Sequence, residues 1–190
     1  RKQAQVGYVG GLGRIRGIQE MVQAIALTTS DVRFAMGGNF SEASFEQVVK
    51  AEQGWQKTDY LEWLDRAGVK KVLQESIAGL VTLHPVINYL DALPVKMFEY
   101  MSAGVPVISS NFPLWKEIIE GNKCGLCVDP LDPQSIAEAI DYLVTHPVEA
   151  EKMGRNGQEA VQHKYNWSIE EQKLLSLYQS LEIEKNIEER

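Results

Sequence analysis

The segment from Asp91 to Ile108 reads DALPVKMFEYMSAGVPVI, and it decides the fold class. A loop leads into a helix predicted from about Val95 to Ala103, Gly104 ends that helix, and an apolar strand follows over Val105–Ser109. The strand shows no polar alternation, so both of its faces should be buried. A helix followed by such a strand is the repeating unit of a parallel sheet that is covered by helices on both sides.

The same alternation continues outward from this segment in both directions. The other predicted strands are Gln5–Val9, Val32–Met36, Tyr60–Leu64, Ile77–Leu83 and Gly125–Val128. The other predicted helices are Ile15–Leu27, Ser44–Gln53, Arg66–Gln74 with Asp65 as its N-cap, Leu114–Glu120, Pro133–Val144, Pro147–His163 and a last helix that begins with the capping box of Ser168 and Glu171. We therefore predict one α/β domain over residues 1–190, with a Rossmann-like, doubly wound parallel sheet.

Composition and charge argue against several classes of function. The net charge of −7 disfavours a nucleic-acid partner, because binding a phosphate backbone needs a dense positive surface. No run of about 18 apolar residues is present, so no transmembrane segment is predicted. Cys124 and Cys127 have no second cysteine pair, and the 3 histidines lie far apart. We interpret the two cysteines as small packing residues, and we predict no metal site.

A glycine-rich loop, GGLGRIRG, occupies residues 10–17 between the first predicted strand and the first helix. Open parallel sheets bind ligands at this position, outside the carboxyl ends of their strands. Glycine lets the backbone approach a phosphate, a helix N-terminus carries positive partial charge, and arginine can chelate a diphosphate. The residues that we expect to hold phosphate here are Gly10, Gly11, Gly13, Arg14 and Arg16.

Two other interpretations of this loop are open. A tight turn with solvated arginines is the structural one. A loosened dinucleotide fingerprint, typical of nicotinamide-dependent oxidoreductases, is the functional one. That fold needs an acidic residue at the end of the second strand to hold the adenosine ribose. Here the second strand ends in Gly37, Gly38 and Asn39, which disfavours an oxidoreductase.

The segment at 91–108 carries a second set of candidate ligand groups. Asp91 lies in its loop, and Lys96 and Glu99 lie in the first turn of the helix that follows. The N-terminus of this helix should face the same edge of the sheet as the glycine-rich loop and supply more phosphate donors. An acid in a first helical turn also complements the helix dipole, and a loop aspartate can simply be solvated. The residues alone leave both interpretations open.

Taken with its neighbours, this segment resembles the C-terminal, donor-binding domain of GT-B glycosyltransferases. The resemblance is to the retaining group (glycosyl transferases group 1) that carries an E-x7-E motif ahead of A-G-x-P-V-I. Asp91 and Glu99 have that spacing, with Asp in place of the first Glu. Similar segments are YVGGL at 8–12 with RGI at 16–18, LEWLD at 61–65, CGLCVDP at 124–130 with QSIAEAI at 134–140, and YNWS at 165–168. The resemblance covers nearly the whole chain.

The resemblance implies roles for residues around the sugar and the nucleoside. Glu99 would accept hydrogen bonds from the ribose hydroxyls of a nucleotide. Asp91 would face the hydroxyls of the donor sugar, although it is one methylene shorter than the family's Glu. Trp63 and Leu64 would border the base. His84 either lines the same cleft or caps a strand end.

The resemblance also implies how the diphosphate would be held. Arg16 takes the place of the family's basic residue in the first loop, and the backbone N–H groups of Val95 and Lys96 would cradle the diphosphate. The family often has arginine at the position of Gly11, and Arg14 is the candidate substitute. Arg14, Arg16 and Lys96 are therefore the expected cations.

The activity implied by the resemblance is transfer of a sugar from a nucleotide-diphosphate sugar to an acceptor, with retention of configuration, in bacterial polysaccharide or glycolipid assembly. No cofactor is expected, since the nucleotide sugar is a substrate. A GT-B sugar-nucleotide epimerase and a non-catalytic nucleotide-sugar-binding subunit are the alternatives.

The chain starts with RKQAQ, without an initiator Met or a signal peptide, which predicts a segment of a longer protein. We expect an N-terminal acceptor domain to precede Arg1, so this chain alone should not transfer sugar. The expected location is cytoplasmic, including the inner face of the membrane, with any peripheral membrane association made by that other domain.

Overall fold

The structure is a computed structural model that describes residues 4–166. Its strands are β1 (Ala4–Val9), β2 (Val32–Gly37), β3 (Thr58–Tyr60), β4 (Ala78–Val81), β5 (Val107–Ser110) and β6 (Gly125–Val128). They form one six-stranded sheet in the order β3-β2-β1-β4-β5-β6, and neighbouring strands are parallel. Because the strand order reverses between β1 and β4, their carboxyl ends border the crevice where such sheets bind ligands.

Helices connect successive strands, and two more follow the last strand of the sheet. Among the described residues they are α1 (Ile18–Leu27), α2 (Ala43–Lys50), α3 (Arg66–Glu75), α4 (Ile87–Leu90), α5 (Val95–Ser102), α6 (Pro113–Ile119), α7 (Pro133–Thr145) and α8 (Pro147–His163). Two 3-10 turns, Arg14–Arg16 and Gln53–Lys57, precede α1 and β3. Within residues 4–166, none of the helices combines the length and the apolar character that a membrane span requires.

Two buried clusters cover opposite faces of the sheet. One contains Leu80 and Ile108 with residues of α1, α2 and α7, and the other contains Val81 and Val107 with residues of α5 and α6. Successive residues of a strand point to opposite faces, so each cluster belongs to one face. The predicted fold class, a doubly wound parallel sheet, is confirmed.

Two predicted boundaries next to the crevice are wrong. The third strand ends at Tyr60, not at Leu64, because Glu62 turns the chain with a φ of 53° and its carbonyl accepts the Gly38 N–H at 2.6 Å. The first helix begins at Ile18, because the preceding 3-10 turn ends at Gly17 with a φ of 72°.

Other boundaries differ by a few residues. The strand predicted over Ile77–Leu83 pairs only over Ala78–Val81, and the one predicted from Val105 begins at Val107, after Pro106, which has no N–H to donate. The helix predicted to reach Gln53 ends at Lys50, and the short α4 was not predicted. Ser168 and Glu171 lie outside the described residues.

The predicted helix signals near the site are confirmed. The Asp65 carboxylate accepts the Gly68 N–H at 2.8 Å at the start of α3, and Gly104 follows α5 with a φ of 71°. Cys124 and Cys127 are free thiols, and burial raises the pKa of each to about 11. Neutral, packed thiols fit the interpretation of the pair as small core residues.

Candidate functional site

A cavity of about 380 Å³ lies at the carboxyl ends of β1 and β4. The charged residues of its lining are Arg16, Lys96 and Glu99. They come from the glycine-rich loop and from the first two turns of α5, which are far apart in the sequence. Glu99 was predicted in the first turn but lies in the second, because the helix begins at Val95. The fold therefore brings together three residues that were predicted from two separate segments.

The glycine-rich loop is fixed on several sides by hydrogen bonds. The Gly10 N–H donates to the Gly37 carbonyl at 3.0 Å, and the Leu12 N–H donates to the backbone carbonyl of Asn39 at 3.0 Å. The Tyr8 hydroxyl donates to the Gly11 carbonyl at 2.8 Å. Burial raises the pKa of Tyr8 to about 12, although the nearby positive charge of Arg16 lowers it, so the hydroxyl stays a donor at neutral pH.

Lys96 packs against this loop from the opposite wall. Its ammonium donates to the Val9 carbonyl and lies 4.7 Å from the centroid of the Tyr8 ring. A Cβ at Gly10 would lie 2.5 Å from Lys96 Nζ, so glycine leaves room for this contact. Burial lowers the pKa of Lys96, the Glu99 charge raises it, and the Arg16 charge lowers it. An anion placed between Lys96 and Arg16 would relieve this unfavourable pairing of a desolvated cation with a second cation.

The helix that carries Lys96 presents its N-terminus at the same place. α5 begins at Val95 after Pro94, and first-turn N–H groups have no partner inside a helix. Val95, Lys96 and Pro94 all line the cavity. The combined set of two cations and a helix N-terminus is suited to a diphosphate.

The two arginines of the first loop have different surroundings. Arg16 lines the cavity, and a Cβ at Gly11 would lie 3.5 Å from its Nε. The guanidinium carbon of Arg14 instead lies 4.6 Å from the centroid of the Phe45 ring, and Arg14 is not part of the cavity lining. The expectation that Arg14 substitutes for the arginine missing at Gly11 is therefore not met by its placement. Lys96 provides the second cation.

The remaining predicted residues lie around the cavity. Asp91 is exposed at the end of α4 and directly precedes Ala92, which lines the cavity. Gly13 is partly exposed at the start of the 3-10 turn. Trp63 is 70% exposed, whereas Leu64 packs closely over Gly37.

Glu99 separates the cavity from a second, larger space. A groove of about 550 Å³ lies between α3 and α5, and Val95 and Glu99 belong to the lining of both spaces. Its apolar side includes Leu73 and Phe98. A ligand with a charged half and a flat apolar half could occupy both spaces at once, with Glu99 facing its middle.

His84 connects the first loop to the end of β4. The backbone N–H of His84 donates to the Ile15 carbonyl at 2.9 Å. The ring Nε2 lies 3.0 Å from Glu20 Oε1, but the two atoms are not aligned as a hydrogen bond. Both side chains are mostly buried. This arrangement favours a packing role at the strand end over a place in the cavity lining.

Trp115 and Tyr8 line the cavity but were not predicted as site residues. Tyr8 carries a weak sequence signal, since it is a polar-tipped aromatic residue near the end of a buried strand. Trp115 gives none, because it lies in a helix that is distant in sequence from the other site residues. Within residues 4–166, no group of three His, Cys, Asp or Glu side chains lies close enough to hold a metal ion.

Similar proteins are known. The capsular polysaccharide biosynthesis glycosyltransferase CapM of Staphylococcus aureus is 24% identical over 182 residues, which are 91% of this chain and 45% of CapM. The Anabaena protein HepE, solved in complex with UDP, superposes with a TM-score of 0.80 at 16% identity, over 94% of this chain and 49% of HepE.

A solved domain of matching size is also similar. The C-terminal domain of the group 1 glycosyl transferase LpcC from Francisella tularensis has a TM-score of 0.74 and 21% identity, over 86% of this chain and 87% of that domain. This chain thus spans less than half of CapM but nearly all of a domain that was crystallised alone. The family model for Glycosyl transferases group 1 matches residues 1–160, and the chain belongs to that family.

Proposed function

We propose that this chain is the donor-binding part of a glycosyltransferase and that its substrate is a nucleotide-diphosphate sugar. The observation that carries the proposal is the convergence of Arg16, Lys96, Glu99 and the α5 N-terminus on one cavity. Family membership and the UDP complex of a protein with the same fold support it.

The ligand is proposed to extend through both spaces beside Glu99. Its diphosphate lies between Arg16 and Lys96, its ribose hydroxyls donate to the Glu99 carboxylate, and its base enters the groove between α3 and α5. Trp63 and Leu64, which the resemblance placed beside the base, do not line this groove. Two neighbouring hydroxyls match two carboxylate oxygens, and bonds to a charged acceptor are stronger than neutral ones. The sugar then lies toward Ala92 and Leu93, which line the cavity but not the groove.

This arrangement supports transfer chemistry through its effect on the leaving group. When the bond between the sugar and the diphosphate breaks, negative charge develops on the departing oxygen. Arg16, Lys96 and the backbone N–H groups of α5 are in place to stabilise that charge, which favours the transition state over the bound substrate. The sugar would pass, with retention of configuration, to an acceptor held by a preceding domain, in polysaccharide or glycolipid assembly on the cytoplasmic side of a membrane.

Calorimetry on the 190-residue chain tests donor binding. Titration with UDP, GDP and ADP should show binding of at least one diphosphate, and the matching monophosphate should bind more weakly because it makes fewer contacts with Arg16 and Lys96. Inorganic pyrophosphate serves as a control for non-specific anion binding. If all three diphosphates fail to bind, or bind no better than pyrophosphate, the proposed function is rejected. Incubation of the chain with a nucleotide sugar and no acceptor checks the epimerase alternative, which no observation favours.

A further inference from the structure

We propose that Trp115 is a positioning residue that holds the loop at 91–94 in place for recognition of the sugar. The inference rests on the proposed function and names a specificity element of the same site. Trp115 lies in α6, outside the segments that carry the cations and Glu99. Its side chain is fully buried and forms part of the cavity lining.

The key contact is a hydrogen bond from α6 to the loop. The Trp115 indole N–H donates to the Ala92 carbonyl at 2.7 Å. Among the described residues, the other hydrogen bonds of this loop stay within its own segment. The Ala92 N–H donates to the Tyr89 carbonyl at 3.4 Å, and the Met97 N–H donates to the Pro94 carbonyl at 3.1 Å. The indole therefore supplies the cross-link between the loop and the rest of the domain.

The indole itself is held rigidly. Its ring lies 4.8 Å from the Phe112 ring, centroid to centroid, and both residues belong to the buried cluster on the α5 face of the sheet. A side chain that its packing confines to one rotamer can hold the carbonyl that it contacts in one position. Ala92 directly follows Asp91, so the indole also sets the position of the Asp91 backbone.

The position of the loop relative to the charged residues assigns it to the sugar. Arg16 and Lys96 account for the diphosphate, and Glu99 faces the ribose. The wall formed by Ala92 and Leu93 remains for the group on the other side of the diphosphate, which is the sugar. A looser loop should therefore weaken binding of a nucleotide sugar but leave binding of the nucleoside diphosphate nearly unchanged.

The test is the variant Trp115→Phe, which keeps an aromatic ring in the core and removes the N–H donor. The probes are the pairs UDP with UDP-glucose and GDP with GDP-mannose, titrated into the 190-residue chain. For the pair that binds, we expect affinity for the nucleotide sugar to fall about fivefold to tenfold, the effect of a lost hydrogen bond, and affinity for the diphosphate to change less than about twofold. Equal losses for both ligands, or no loss for either, would overturn the proposal.

Val107→Ala is the matched control, because it removes apolar packing from the same buried cluster and keeps both the indole donor and the Phe112 ring beside it. It should lower the melting temperature about as much as Trp115→Phe without changing the ratio of the two affinities. A change in that ratio would show that packing alone, and not the hydrogen bond, sets the loop, and the proposal would fail.

Hydrogen–deuterium exchange separates this inference from the proposed function, because it needs no ligand. Peptides that cover residues 89–94 should exchange faster in Trp115→Phe than in the parent chain, with α1 and α7 unchanged. Unchanged exchange in that loop would overturn the positioning role even if nucleotides bind. If UDP, GDP and ADP all fail to bind the parent chain, the proposed function fails, and the exchange result alone decides whether the indole holds the loop.

Discussion

The glycine-rich loop and the loop at 91–94 border the same cavity, but they are held in different ways. The first is fixed mainly by backbone hydrogen bonds. The N–H groups of Gly10 and Leu12 donate to neighbouring carbonyls, and the backbone N–H of His84 donates to the Ile15 carbonyl. The second has one cross-link to another element among the described residues, the indole of Trp115. A loop fixed by several backbone hydrogen bonds should keep its conformation when one side chain is replaced, whereas a loop held by one side chain can be altered by a single substitution. This difference fits the proposed assignment of the first loop to the diphosphate and of the second to the sugar.

The largest expected effect comes from Gly17, which closes the first loop. Its φ is 72°, and an added Cβ would meet the Thr82 carbonyl. Gly17→Ala should lower the free energy of unfolding by roughly 2–4 kcal/mol, from left-handed strain and from the clash. Urea denaturation measures this loss.

Gly13→Ala is the matched control in the same loop. Gly13 has an extended φ of −134°, and its nearest neighbour would lie 3.7 Å from the new Cβ. The free energy of unfolding of Gly13→Ala should therefore stay within about 0.5 kcal/mol of the parent value. In the other loop, Leu93→Ala should cost less than about 1 kcal/mol, because Leu93 is 48% exposed. Equal costs at Gly17 and Leu93 would remove the contrast between the two loops.

The next effect concerns the two arginines of the first loop. Arg16→Ala should weaken nucleoside diphosphate binding by about 1.5–3 kcal/mol, since a hydrogen-bonded cation is lost from the cavity. Arg14→Ala should leave the affinity unchanged, because its guanidinium lies over Phe45. Calorimetry with both single variants and the double variant decides the point. An unchanged affinity in the double variant would reject the role of Arg16.

Glu99 gives the corresponding test on the second segment. Glu99→Gln keeps the size of the side chain and removes its charge, so nucleotide affinity should fall by about 1–2 kcal/mol through weaker ribose bonds. The 2′,3′-dideoxy nucleotide should bind the parent poorly and be nearly indifferent to the substitution. Equal losses for the two nucleotides, or a lower melting temperature alone, would assign Glu99 a structural role at the helix N-terminus, worth about 0.3–1 kcal/mol.

The smallest expected effect is at Tyr8. Tyr8→Phe removes the hydroxyl that binds the Gly11 carbonyl and keeps the ring beneath the Lys96 ammonium. Diphosphate affinity should fall by about 0.5–1.5 kcal/mol, the usual net value of one hydrogen bond, because the other backbone ties keep the loop in place. A loss as large as that of Arg16→Ala would mean that the first loop also depends on a single side chain.

Several parts of the site could be predicted because their signals are local. Glycines followed by a helix, and a proline before Val95, mark chain reversals at strand ends whatever else surrounds them. The roles of Lys96 and Glu99 came from the family resemblance, because charge near a helix N-terminus is visible in the sequence but fits a structural role as well. Arg16 was predicted from its place in the glycine-rich loop. Arg14 was predicted on the same grounds, yet its guanidinium lies over Phe45, since its direction depends on a helix that packs beside the loop.

The sequence by itself determined the α/β class, the approximate position of each strand and the edge of the sheet that carries the candidate site. These follow from hydrophobic periodicity and from glycine and proline, which act over a few residues. Only the tertiary structure decided which cations share the cavity, that Glu99 lies between the cavity and the α3–α5 groove, and that Trp115 holds the opposite loop. Such contacts join residues from separate elements, and their geometry depends on how the sheet order places those elements side by side.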